Sequence, residues 1–388
     1  MTAGSTDFDR LVDRTGTASL KWGVYGAGVL PLWVADMDFP APPPVVAAVE
    51  EFAAHGVYGY TRVPGSLEQA VRDFLAGSYD WPIEPEWLVF LPGVVPALNL
   101  VCRAFAAPGE AIMTVTPVYP PFLEAPRFQD RLLQAVPAVV GEGRWRLPLA
   151  EMEAAITPAT RVLLFCHPHN PFGRAWEPDE VAAVVAYCPR HELELCSDEI
   201  HCDLLLDPVR HLPAARVSAE AARRTITLMA PSKTFNLPGL NFAFAVISDP
   251  ALRQQFAESA RGLSSLPGCF AVVAAEAAYR EGGPWLEELL TYLRGNRDLL
   301  EEFVATTLPG VTMAHVEATY LAWLDVRALG LADPAAACER AGLGLSDGRL
   351  FGGEGFLRLN FGCPRSLLIE ALRRLRVGLG SERSARGE

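Results

Sequence analysis

Lysine is almost absent from this chain. Of its 388 residues, 33 are lysine or arginine, and only Lys21 and Lys233 are lysines. Arginine replaces lysine at little cost as a solvated surface charge, but a guanidinium keeps its proton and cannot act as an amine nucleophile. A lysine retained in such a background is therefore a candidate for covalent chemistry, with chance retention as the alternative.

Other features that are missing exclude whole classes of protein. The net charge is −13, which argues against nucleic acid or an anionic membrane as a partner. The eight cysteines form no Cys-x-x-Cys pair, so neither a zinc ribbon nor a thioredoxin-type motif is present, and no metal site is predicted. No run reaches the roughly 18 apolar residues of a membrane span, and the N-terminal residues lack the apolar region of a secretion signal. We therefore expect a cytoplasmic protein with reduced, mostly buried thiols.

Short apolar runs alternate with helical patterns from about residue 43. The runs have the length of buried strands and occupy residues 86–93, 110–117, 161–168, 193–199, 225–232 and 242–249. Helix-period apolar residues recur between or before them, at residues 44–55, 67–79 and 178–188. This alternation is typical of an α/β fold with a mainly parallel sheet covered on both faces.

The pattern changes near residue 285. A long amphipathic segment at 284–308 is followed by two strand patterns, 319–326 and 355–362, and by further helices. We predict an N-terminal arm over 1–40, a large α/β domain over 41–284 and a small α+β domain over 285–388. The arm is expected to pack with the small domain.

Polar and glycine residues follow the predicted strands, at the edge of a parallel sheet where ligands bind. A glycine turn into a helix, which is a potential anion site, begins at Gly93. The residues at these strand ends, with one arginine of a later strand, are Gly93, Val94, Val95, Tyr119, Asn170, Asp198, His201, Ser232, Lys233 and Arg358. One ligand accounts for all of them: pyridoxal 5′-phosphate needs a lysine, an aspartate, donors, an aromatic ring and an anion cradle. An arginine would hold the carboxylate of an amino acid.

Four motifs resemble the fold-type-I, aminotransferase-like enzymes. They are Asn170–Gly173 (NPFG), Asp198–His201 (DEIH), Ser232–Asn236 (SKTFN) and Arg358–Gly362 (RLNFG). Further segments are similar to the carbon–sulfur β-lyase branch, the cystathionine β-lyases of the MalY/PatB kind: Lys21-Trp22, Trp33–Phe39, Tyr58–Thr61, Pro92–Ala97 and His201. The resemblance extends from about residue 14 to 379. It implies fold type I, with a mainly parallel seven-stranded sheet in the large domain and a smaller α+β C-terminal domain.

The resemblance also implies a role for each residue. Lys233 would bond the cofactor aldehyde, Asp198 would pair with the pyridine N–H, and Tyr119 would stack on the ring. Asn170 would donate to the phenolate oxygen, with His201 nearby. The implied phosphate ligands are Gly93, Val94, Val95, Ser232 and, from the neighbouring subunit of a homodimer, Tyr60. Arg358 would bind the substrate carboxylate, with Tyr119 and Asp36 as further substrate contacts.

The activity implied is α,β-elimination from cystathionine or a related cysteine S-conjugate, which yields a thiol, pyruvate and ammonia. Many transaminases place a phosphate-binding arginine eight residues after the lysine; here that position is Asn241, which favours the lyase branch. The alternative is an aminotransferase, or a decarboxylating or oxidative enzyme using the same cofactor. A nicotinamide enzyme is excluded because no G-x-G-x-x-G follows the first strand.

Some nearby residues have two interpretations. Trp33 and Asp36 either touch substrate or only anchor the arm. His167 and His169 are interpreted as turn residues rather than metal ligands, and Glu199 as structural. Cys166 and Cys202 are interpreted as packing residues.

Overall fold

The computed structural model describes residues 6–380. The helices of this part are α1 Leu20–Gly23, α2 Pro43–His55, α3 Gly65–Tyr79, α4 Val94–Phe105, α5 Pro120–Phe128, α6 Leu149–Ala155, α7 Pro178–Arg190, α8 Ala219–Arg224, α9 Pro231–Thr234, α10 Pro250–Ala260, α11 Cys269–Glu281, α12 Gly283–Thr307, α13 Pro334–Arg340 and α14 Arg365–Gly380. The strands are β1 Leu30–Pro31, β2 Leu88–Leu91, β3 Ala111–Thr116, β4 Leu132–Pro137, β5 Val139–Gly141, β6 Arg144–Arg146, β7 Thr160–Cys166, β8 Glu194–Asp198, β9 Thr225–Met229, β10 Ala243–Val246, β11 Thr312–Met313, β12 Leu321–Asp325, β13 Leu343–Gly344, β14 Ser346–Asp347 and β15 Phe356–Asn360.

A seven-stranded sheet in the order β2-β10-β9-β8-β7-β3-β4 forms the centre of the molecule. Strand β10 is antiparallel to both neighbours, and the pairs from β9 to β4 are parallel. The predicted α/β fold of type I, with a mainly parallel seven-stranded sheet, is therefore confirmed. The parallel strands end together at one edge, where ligands bind in sheets of this kind.

The sequences of the strands are continuous apolar runs because both faces of the sheet are buried. Ile112 and Val162 pack on the side of α4, whereas Met113 and Leu163 pack on the side of α7. All six apolar runs of the sequence become strands of this sheet. The seventh strand, β4, was not predicted, because it lies at the sheet edge with Leu132 exposed and has no continuous apolar pattern.

A second, antiparallel sheet in the order β11-β12-β15-β14 follows the long helix α12. Residues of the N-terminal arm join the same hydrophobic core: Phe8, Leu32 and Phe39 cluster with Leu289 and Leu372. Strand β1 of the arm also pairs with β13. We propose on these contacts the division into residues 1–40, 41–284 and 285–388; its two ends, 1–5 and 381–388, lie outside the described residues.

Among the helices of residues 6–380, none combines the length and the apolar character that crossing a membrane requires.

Candidate active site

A cavity of about 580 Å³ opens at the carboxyl ends of the parallel strands. Nine of the predicted site residues line it: Gly93, Val94, Val95, Tyr119, Asn170, Asp198, His201, Ser232 and Lys233. They come from the ends of different strands and from the helix starts behind them, so the α/β topology alone brings them together. Three predicted residues, Tyr60, Arg358 and Asp36, are not in this cavity wall.

Lys233 projects from α9, the single helical turn that follows β9. Its Nζ atom donates a hydrogen bond to the backbone carbonyl of Ala35, at 2.6 Å. Desolvation lowers the pKa of Lys233 to about 8, and the positive charge of Arg358 acts in the same direction. A much larger share of the amine is therefore unprotonated at neutral pH than for a solvated lysine, as a nucleophile or base requires.

Asp198 ends the buried strand β8, and its side chain is almost fully enclosed. Its Oδ1 atom accepts a hydrogen bond from the backbone N–H of Ile200, at 3.2 Å, and no ion pair within residues 6–380 involves it. Burial raises the pKa of Asp198 to about 7. A buried carboxylate without a cation is costly unless a ligand supplies a positive or donor group.

The neighbouring carboxylate, Glu199, is fully partnered and lies outside the cavity wall. It pairs with the His211 ring at 2.6 Å and accepts hydrogen bonds from the Ser197 hydroxyl and the Ala214 N–H. Burial raises its pKa to about 7. The sequence-based interpretation of Glu199 as a structural residue agrees with these contacts.

An anion cradle lies beside Lys233. Gly93 precedes the first residue of α4, so the N–H groups of Val94 and Val95 belong to the helix turn that lacks intrahelical acceptors. Ser232 lines the same wall, and Asn241 lies there in a left-handed backbone conformation. Among the described residues that line this cavity, Lys233 is the single lysine or arginine. An anion in this cradle would therefore be held mainly by backbone dipoles.

Arg358 lies behind Asn170, buried in β15. Its guanidinium donates to the Asn170 Oδ1 atom at 3.1 Å and to the carbonyl of Trp33 at 2.7 Å, and its Nε atom has no partner within the described residues. Burial lowers the pKa of Arg358 to about 10. No carboxylate within residues 6–380 forms an ion pair with this guanidinium, so an incoming carboxylate would find it uncompensated.

Asp36 lines a second cavity, of about 640 Å³, which meets the first at Lys233 and Ala35. Arg14 pairs with Asp36 at 2.7 Å, and the fully buried Lys21 pairs with Asp38 at 2.7 Å. Lys21 thus serves the charge and packing of the arm. Asp36 anchors the arm as well, but its Oδ1 atom lacks a hydrogen-bond partner among the described residues.

Tyr60 is fully exposed and lies away from both cavities of this chain. Further apolar side chains are also exposed, namely Val57, Tyr58, Val95, Leu263 and Leu266. Val95 and Leu266 also line the first cavity, so the outer wall of that cavity is itself an exposed apolar surface.

The histidines of the loop after β7 are packed in the interior. His169 stacks on Phe172 with ring centroids 3.9 Å apart, and His167 stacks on His211 at 4.3 Å. Burial lowers the pKa of each loop histidine to about 3. Within residues 6–380, no group of three or more potential ligand side chains could hold a metal ion.

Several wall residues were not predicted, and Ala35 is the most informative. It lines both cavities, and its backbone carbonyl holds Lys233. The other unpredicted lining residues include Pro238, Leu240, Phe242, Ser265 and Leu266. None carries an ionisable group, so no chemical signal in the sequence singles them out.

Comparison with known proteins gives consistent matches over most of the chain. A family model described as aminotransferase class I and II matches residues 27–375. Cystathionine beta-lyase PatB of Bacillus subtilis (strain 168) is 38% identical over 386 residues, which cover 96% of this chain and 100% of that protein. The crystal structure of OvoB is 44% identical with a TM-score of 0.94, covering 97% of this chain and 99% of that one. Cystalysin from Treponema denticola, whose crystal structure contains pyridoxal 5′-phosphate, is 32% identical with a TM-score of 0.92, covering 97% and 99%.

Proposed function

The chain belongs to the aminotransferase class I and II family, and we propose that it uses pyridoxal 5′-phosphate to cleave a carbon–sulfur bond of an amino acid. It is a carbon–sulfur β-lyase, as are the relatives named cystathionine β-lyase and C-S lyase. Cystathionine, or a related cysteine S-conjugate, is the substrate that we propose. The products would be a thiol, pyruvate and ammonia.

The observation that carries the cofactor assignment is the set of unpaired groups in the first cavity. Within residues 6–380, Asp198 forms no ion pair and the His201 Nδ1 atom has no hydrogen-bond partner, and the start of α4 offers N–H groups that lack intrahelical acceptors. Pyridoxal phosphate fits each of them, with a pyridine N–H, a phenolate oxygen and a phosphate. Lys233 would hold its aldehyde, and Tyr119 would lie against its ring.

The bound cofactor supplies an electron sink that makes the Cα proton of an amino acid removable. Lys233 lies within the same cavity, and its lowered pKa suits it to take that proton as a general base. Arg358, behind Asn170, would fix the substrate carboxylate and thereby the orientation of the Cα–H bond. The second cavity meets the first at Lys233 and offers room for the sulfur substituent.

Elimination is favoured over transamination by the phosphate site and by the relatives. Asn241 lines the cradle at the position where many transaminases have an arginine. To test the assignment, the purified protein would be loaded with cofactor and given cystathionine. Thiol, pyruvate and exchange with an added keto acid would be measured separately. Formation of thiol and pyruvate supports the lyase assignment, whereas keto-acid exchange without thiol release would contradict it.

Arg358 is expected to act on substrate binding. Replacing it by lysine keeps one positive charge but loses the planar pair of donors that a carboxylate accepts. We expect KM to rise roughly 10- to 100-fold with a smaller change in kcat. Steady-state kinetics would check this, with Arg373→Lys, an exposed arginine paired with Glu370, as the matched control. An unchanged KM in Arg358→Lys would remove Arg358 from the substrate site.

We propose further that the enzyme is a homodimer in which Tyr60 completes the phosphate site of the neighbouring subunit. Support comes from the exposed Tyr60 and from the apolar outer wall of the cavity. A cytoplasmic location is also proposed; it is compatible with eight cysteines that are all unpaired. The partner we propose is a small amino-acid substrate rather than a nucleic acid or a membrane.

Mixed dimers test the role of Tyr60. We expect Tyr60→Phe to weaken cofactor binding, because a phosphate donor is lost, and Lys233→Ala to be inactive. Subunits of the two variants would be unfolded together and refolded at limiting cofactor. A mixed dimer then has one site with both Lys233 and Tyr60 intact, so activity should exceed that of either variant alone. If Tyr60 serves its own chain, no mixed site is intact and no gain will occur.

A further inference from the structure

The carbonyl oxygen of Ala35 accepts two hydrogen bonds from side chains. One comes from the Lys233 Nζ atom at 2.6 Å, and the other comes from the Tyr320 hydroxyl at 2.9 Å. Tyr320 is almost fully buried directly before β12, and its ring lies 6.2 Å from that of His201. A residue that leads into the C-terminal sheet thus meets the proposed catalytic lysine on a single oxygen atom of the arm.

The segment around Ala35 is held independently of Tyr320. The Asn360 side-chain amide donates to the carbonyls of Val34 and Asp36, at 2.7 Å each, on both sides of Ala35. The Oδ1 atom of Asn360 is fixed in turn by the backbone N–H of Gly362, at 2.8 Å. Removing the Tyr320 hydroxyl should therefore leave the Ala35 carbonyl in place and change only the number of hydrogen bonds that its oxygen accepts.

We propose that Tyr320 is a positioning residue for Lys233: through the shared carbonyl of Ala35, its hydroxyl limits how strongly that oxygen holds the ammonium form of the lysine. Each donor withdraws electron density from the oxygen and weakens it as an acceptor for the other. The ammonium is a stronger donor than the neutral amine, so its hydrogen bond to the Ala35 carbonyl is weakened more than that of the amine. Tyr320 thereby favours the neutral amine, which captures the cofactor and takes the substrate proton. The inference rests on the proposed role of Lys233 but not on the identity of the substrate.

The other charges around the two side chains set the background of this effect. Lys233 is faced by Arg358, Asp36, Asp198 and His201. Tyr320 is faced by Asp36, Arg358 and Tyr119, and burial raises its pKa, so its hydroxyl stays protonated as a donor. The substitution tested below alters none of these charges.

The scarcity of lysine permits a direct test. Lysine labelled with ¹³C at Cε gives two side-chain signals in the full chain, Lys21 and Lys233, and Lys233→Arg assigns them. In protein freed of cofactor, the pKa of Lys233 is read from the pH dependence of its signal. We expect Tyr320→Phe to raise this pKa by roughly 0.3 pH units, which is about two-fold less free amine at neutral pH. The rate at which the protein captures cofactor at pH 7 should fall by the same factor. In the cofactor-loaded enzyme, the apparent pKa on the acidic side of the pH dependence of kcat should rise together with the pKa of Lys233.

Tyr187→Phe is the matched control, since it removes another buried tyrosine hydroxyl that donates to a backbone carbonyl, that of Met152, at 3.0 Å. It should leave the pKa of Lys233 unchanged. An unchanged or lowered pKa in folded Tyr320→Phe would overturn the proposal, even if the lyase activity is established.

A second protein keeps the test decisive if Tyr320→Phe does not fold. In the Tyr119→Phe background, all remaining tyrosines would be replaced by 3-fluorotyrosine, which keeps the ring and makes the hydroxyl a stronger donor. The pKa of Lys233 should then be lower than in the Tyr119→Phe variant with ordinary tyrosine. An unchanged or higher pKa would refute the role of Tyr320.

Discussion

Replacing Lys233 by arginine is expected to reduce lyase turnover by more than ~10³-fold, although the positive charge is kept. A guanidinium neither forms the covalent bond with the cofactor aldehyde nor takes a proton at neutral pH. The yellow absorption of the lysine–cofactor Schiff base should be lost together with turnover, and Lys233→Ala should behave in the same way. Turnover assays and absorption spectra of the purified variants check both expectations.

Lys21→Arg is the control, because it exchanges the same residue types at the other lysine. Lys21 is fully buried against Asp38 and does not line either cavity. This variant should keep the absorption band and at least part of the activity, and a larger guanidinium in the buried site should lower its Tm. Full turnover by Lys233→Arg would refute the mechanism, since no other lysine lies in the cavity wall.

Asp198→Asn is expected to lower kcat by roughly 10²- to 10³-fold, the cost of removing one preorganised electrostatic partner. The amide keeps the size of the side chain and its contact with the Ile200 N–H, but it no longer balances a charged pyridine ring. Steady-state kinetics at saturating cofactor separate this loss from weaker cofactor binding. The matched control is Glu199→Gln, the adjacent buried carboxylate outside the cavity wall, which should keep most of the turnover. Equal losses in the two variants would contradict the assignment of Asp198.

The Asp198→Asn substitution should also change how the Tm of the cofactor-free protein depends on pH. Burial raises the pKa of Asp198 in the folded protein to about 7, above the usual aspartate value of 3.8. The native state therefore holds this proton more tightly than the unfolded state does, and the associated stability is lost as pH rises from about 4 to about 7. Asp198→Asn avoids this loss, so its Tm relative to the parent should rise across that window. A constant Tm difference would indicate that Asp198 titrates normally.

The fold could be predicted because its strands are buried on both faces. Runs such as residues 161–168 and 225–232 are continuous, bounded and strand-length, and each became a parallel strand. The cofactor residues could be predicted for a related reason: Asn170, Asp198 and Lys233 follow such runs directly, so the sheet topology brings them to one edge.

The contacts that complete the site could not be predicted, because they depend on long-range packing. The bond between Arg358 and Asn170 joins residues that are 188 positions apart. Ala35 acts through its backbone carbonyl, which no side-chain pattern marks. Strand β4 lies at an exposed edge, where neither apolar alternation nor a continuous run is required.

The most direct test of the central claim is a single turnover of the cofactor-loaded enzyme with cystathionine, in which products and the absorption of the Schiff base are followed together. Elimination through Lys233 predicts one thiol and one pyruvate for each site that turns over, with the yellow band restored at the end. Loss of the band, with a keto acid that keeps the sulfur substituent and no thiol, would contradict the account.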